Sequence, residues 1–171
     1  MKIPLLALIF QGIPEVIAII TLAYVIANVP LVWKKIIPAG ILLAFVSYGV
    51  RLLPITFGVH TIILIGLTFF ILMFLGKSSV NPALIASIIS MLAITVAEAV
   101  CLSLLMPLFG VTSEILFTNT IIRILISWPQ VLVMLILAFV TYKFKTQREI
   151  KKKQQSIDVQ DGNNQKTVNK F

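Results

Sequence analysis

Charge is scarce in this chain. Six acidic side chains and fourteen lysines and arginines are spread over 171 residues, so charged groups make up only 12% of the sequence. Soluble domains carry about twice that share, which excludes an ordinary globular domain of this size. There is one cysteine, Cys101, and one histidine, His60. A lone thiol excludes an intrachain disulfide and a CxxC metal or redox pair. No cluster of histidines and carboxylates suits a metal, and the HExxH, GxSxG and GxxxxGK[ST] patterns are missing. Cys101 with His60 is the only pairing from which thiolate chemistry could be built, and in so apolar a chain both read as packing residues. We therefore expect no enzyme, no cofactor and no metal.

What the chain has in abundance is apolar surface: 59% of its residues are hydrophobic and the mean hydropathy is +1.06. The expected fold class is all-α integral membrane, a bundle of about five transmembrane helices, because only helices and closed barrels satisfy every backbone polar group in lipid. The formal net charge of +8 is unevenly held. From Lys143 onward eight basic residues face Glu149, Asp158 and Asp161, a local excess of +5. Such a balance points to membrane lipids with anionic headgroups, and not to nucleic acid.

Orientation follows from the last apolar run. Val131 to Tyr142 is uncharged, and Lys143, Lys145, Arg148, Lys151, Lys152 and Lys153 follow at once. Basic residues at span ends are retained in the cytoplasm, so the carboxyl end is read as inside and the six as candidates for lipid-headgroup contact. A bare topology signal is the alternative reading of the same block. The expected organisation is a multispan domain over 1–145 and a polar, basic, cytoplasmic tail over 146–171, disordered because little apolar surface is left to bury.

The first apolar run, Pro4 to Val29, reads as a retained span and not a cleaved leader, since cleavage near Ala27 would strand Lys34 and Lys35 outside. Pro14 either kinks this span or opens a helix of its own after a short piece, placing Glu15 in a first turn where the helix dipole favours a carboxylate. Further spans are expected over Ile36–Leu53, Ile55–Leu75 and Ala83–Met106, with lysine-bearing loops at 30–35 and 76–82 on the inner side. Residues 113–127, with Glu114, Thr118, Asn119 and Arg123 among apolar neighbours, form either an outer interfacial helix or the tilted start of the last span. Trp128, Pro129 and Gln130 mark an expected break or kink. The amino end is then outside.

In that orientation Glu15, Arg51, His60, Glu98 and Arg123 gather toward one leaflet. Ionisable groups at bilayer depth are costly, usually face the bundle interior and are functional candidates by default. The five are ligand-pocket candidates for a small extracellular ligand, with Glu15 and Glu98 as anchors and Arg51 or Arg123 as counter-charges. Mutual neutralisation that only fixes helix packing explains them equally. The small residues Ala83, Ala86, Ser87, Ser90, Ala93, Ala97 and Ser103 read as a close-packing face.

Four stretches carry a resemblance: Gln11-Gly12-Ile13-Pro14-Glu15, Arg51-Leu52-Leu53-Pro54, Cys101-Leu102-Ser103-Leu104-Leu105-Met106-Pro107 and Thr118-Asn119-Thr120-Ile121-Ile122-Arg123. Together they resemble the multispan membrane-sensor region of Firmicute histidine kinases of the peptide-sensing type, over roughly residues 1 to 145. No phosphoacceptor helix or ATP-binding domain follows. The resemblance implies a stand-alone sensory or regulatory domain of the cell membrane that signals through a membrane or cytoplasmic partner. In size and hydrophobicity the chain also resembles the vitamin-binding subunits of energy-coupling-factor transporters, which gives the alternative of a substrate-binding transport subunit.

Overall fold

The computed structural model describes residues 8–52, 57–110 and 120–168. A π-helical turn, Leu8–Gly12, leads directly into α1, Ile13–Ile26. Pro14 and Glu15 lie in the first turn of α1, directly after the π-helical turn that accommodates the proline's missing N–H. Gly12 is itself helical, with φ -63 and ψ -45, so Leu8–Ile26 runs as one helical span and the π-helical turn beside Pro14 is its local irregularity. At the far end Asn28 takes a left-handed conformation with φ 57. Val29 N–H then donates to the Tyr24 carbonyl at 2.9 Å and Asn28 N–H to the Val25 carbonyl at 3.3 Å, closing the helix.

Four more helices follow: α2, Trp33–Leu52, α3, Phe57–Phe74, α4, Val80–Leu108, and α5, Thr120–Val168. No strand occurs among the described residues. Among the described residues four segments are long and apolar enough to cross a membrane, namely Leu8–Ile26, Trp33–Val50, Val80–Leu108 and Ile124–Arg148, and Val59–Phe74 is a shorter apolar helix. The chain is a helical membrane protein.

Residues 120–127 belong to α5 and do not form a separate interfacial helix, while 113–119 lie outside the described residues. The break expected near Pro129 is absent: α5 is continuous across it. One missing N–H removes one hydrogen bond, and the apolar turns on either side hold the helix together. Where a disordered tail is expected, α5 continues to Val168. Lys, Gln, Glu and Arg are good helix formers, and extending a helix that already exists avoids the cost of nucleation. The chain divides into two compact units, Met1–Ala138 and Phe139–Phe171.

Within the first unit α1 is the central element, packed against α2, α3 and α4. Val16 and every residue from Ala18 to Val25 are buried, so the helix is enclosed on all sides. Val16, Ile20, Ala23, Tyr24 and Ala27 meet Ile36, Ala39 and Leu43 of α2, Leu64 and Leu72 of α3 and Ala83 and Ala86 of α4. On its other side Ala18, Ile19 and Leu22 meet Ile94 and Ala97 of α4 and Val131, Met134 and Ala138 of α5. Gly40 lets α2 come close: a Cβ there would lie 2.5 Å from Ile17 Cγ1 and 3.4 Å from Ile17 Cα. The outer helices bury one stripe each and expose apolar residues on the rest. α4, for example, buries Ala83, Ala86, Ser87, Ser90, Ile94, Ala97 and Cys101, the three-and-four spacing of one helical face. Leu84, Ile88, Leu92 and Val96 are exposed, as a surface that contacts acyl chains requires.

Candidate functional site

The start of α1, the end of α2 and the start of α3 lie at one end of the bundle, with the π-helical turn packed on α2. Glu15 is half-buried in the first turn of α1. His60, one turn into α3, reaches across to α2, where its Nε2 lies 3.2 Å from the Ser47 hydroxyl. Ser47 is 6% exposed, so this is a hydrogen bond within the helix pair. Arg51 is in the last turn of α2 and Arg123 in the first turn of α5, and the side chains of both lie outside the described residues, as does Glu114 altogether.

Glu98 departs from expectation. It is exposed, on the flank of α4 next to the buried stripe, and it has no ion pair or side-chain hydrogen bond among the described residues. Ala97 and Cys101 point inward, and a helix turns about 100° per residue, which carries Glu98 away from them. It therefore does not join Glu15 and His60 in a shared interior pocket. The small-residue stripe on the same helix contained the signal: Ala83, Ala86, Ser87, Ser90 and Ala97 mark the buried side, and helical geometry then puts position 98 beside it. Cys101 is a free, buried thiol on the inward stripe, consistent with a packing residue.

Two features carry no signal at the level of composition. The hydroxyls of Tyr24 and Ser90 are buried without a hydrogen-bond partner among the described residues. Lys35, at the start of α2, donates from Nζ to the carbonyl of Leu75 just beyond α3, at 3.3 Å. Of the basic block on α5, Lys143, Arg148 and Lys151 are exposed and Lys145 is half-buried, while the side chains of Lys152 and Lys153 lie outside the described residues. Among the described residues no group of His, Cys, Asp and Glu is arranged to hold a metal.

The fold and these positions define a class, a small helical membrane protein with a polar cluster at one bundle end and a carboxylate on its apolar flank. Comparison with protein-family models, with curated proteins and with solved structures returned no match.

Proposed function

We propose that the chain is a five-span protein of the cell membrane, amino end outside and carboxyl end inside, working as a sensory or regulatory domain through a partner in the bilayer. The observation that carries this reading is Glu98. Four residues beyond the midpoint of α4, it lies about 6 Å from the helix centre at 1.5 Å per residue. A charge at that depth costs about 2.5–3.5 kcal/mol on insertion scales unless it is paired. A partner helix with a lysine or arginine at the same depth removes that cost and gains a desolvated ion pair. A second copy of this chain offers no such cation, since Lys34 and Lys35 open α2, Arg51 ends it, and Arg123 opens α5. Glu15 and the Ser47–His60 pair supply the outward face on which a small ligand would act.

The test is a photo-crosslinking residue at position 95, one turn from Glu98, in the full chain in its native membrane, with position 42 as the control face. We expect a discrete protein adduct from 95 and none from 42, lost on Glu98→Gln at unchanged expression and thermal stability. Equal adducts from both positions, or an adduct indifferent to Glu98→Gln, would overturn the proposal.

A further inference from the structure

The surface between α2 and α3 holds an apolar groove of about 200 Å³. Leu42 and Val46 line it from α2, and Leu67, Phe70, Phe74 and Leu75 from α3 and its end. Its volume falls below the roughly 300–1,000 Å³ of pockets that enclose a whole small molecule, and suits a slim chain lying lengthwise. The α3 wall from Leu67 to Leu75 runs about 12 Å along the helix. Phe70 and Phe74 make part of that wall as parallel rings 6.0 Å apart.

Polar contacts bound the groove at both ends. At one, Ser47, next to Val46, meets His60 at 3.2 Å. At the other, the ammonium of Lys35 sits 3.3 Å from the carbonyl of Leu75, itself a wall residue. Lys34 precedes Lys35 and Lys77 follows Leu75 by two residues, and all three lysines are exposed. No acidic residue occurs anywhere between Glu15 and Glu98, so α2, α3 and the loops joining α1 through α4 contain three cations at this end and no carboxylate.

We propose that this groove is a binding site for one anionic phospholipid, with an acyl chain between α2 and α3 and the headgroup phosphate at Lys35, assisted by Lys34 and Lys77. An all-apolar slot takes a hydrocarbon chain. A cation fixed at its mouth selects the charge of the headgroup. The site is independent of the Glu98 flank and of the basic block on α5.

The experiment is native mass spectrometry of the full chain, delipidated in detergent and titrated with phosphatidylglycerol or phosphatidylcholine of identical acyl chains. We expect one phosphatidylglycerol to be retained per chain, in preference to phosphatidylcholine. Lys35→Gln should weaken retention about fivefold, the effect of one lysine near an anionic surface. Val46→Phe, at an exposed position that fills the slot, should abolish the retained lipid with the melting temperature unchanged. Replacing Lys151, Lys152 and Lys153 by Gln should leave it in place. Equal retention of the two lipids, insensitivity to both Lys35→Gln and Val46→Phe, or loss only when the α5 lysines are replaced would each overturn the proposal. If Val46→Phe lowers the melting temperature, Leu42→Phe at the more exposed lip of the groove replaces it as the slot-filling variant.

Discussion

At residue scale, the polar groups of the bundle fall into those with a partner and those without. The hydroxyl of Tyr24 is buried on the central helix with no acceptor among the described residues, and leaving such a group unpaired costs about 1–3 kcal/mol. Tyr24→Phe keeps the ring and removes the burden, so it should hold or raise stability by about 1 kcal/mol, read from unfolding in mixed detergent. A loss of more than that would mean the hydroxyl makes a contact the fold depends on. The Ser47–His60 contact behaves oppositely. His60→Ala leaves a buried serine without its partner, and interhelical hydrogen bonds in membrane proteins contribute about 0.6 kcal/mol on average. A drop of about that size is expected, with Ser47→Ala in the same background adding little further. Independent, additive losses would show that the two side chains do not act as a pair.

At the scale of the element, α1 is where substitutions should tell most. Leu22 is fully buried, so Leu22→Ala should cost about 2–5 kcal/mol by loss of contacts and the cavity left behind. Leu92 on α4 has the same side chain but is 62% exposed, and Leu92→Ala should change stability by less than about 0.5 kcal/mol. Gly40 tests the α1–α2 approach from the other direction. An added methyl lands against Ile17 Cγ1, and overpacking of this kind costs about 1–3 kcal/mol. Unfolding of Gly40→Ala measured beside Gly49→Ala, where nothing lies within 4 Å of the added atom, isolates the contact from the general effect of glycine replacement.

At the scale of the whole molecule, the proposed orientation has one direct readout. With Cys101 replaced by Ala, a cysteine at position 155 should react with a membrane-impermeant maleimide only after the cells are opened. Labelling of intact cells at 155 would reverse the topology, and with it the side proposed for a ligand at Glu15 and His60. Wild-type Cys101, 9% exposed on the inward stripe of α4, should stay unlabelled until the bundle is unfolded.

The apolar runs and their turns are legible in the chain itself, because each depends on residues within a turn or two of one another. The depth of Glu98 along its helix is of the same kind. Its direction around the helix is legible only through the small-residue stripe beside it, once that stripe is known to be the packed one. Nor does anything local mark the run from Val16 to Val25 as the enclosed centre of the bundle, because every apolar run in this chain is equally fit to be buried or to face lipid. The tail shows the converse: composition alone argues against order, whereas a helix already formed by the apolar turns before it carries order on to Val168. Sequence thus determined where the apolar helices lie and how far along its helix Glu98 stands. Tertiary structure decided which side of each helix is covered, because in lipid an apolar face is as well accommodated outside as inside and close approach, through Gly40 and the alanine and serine stripe of α4, chooses among them.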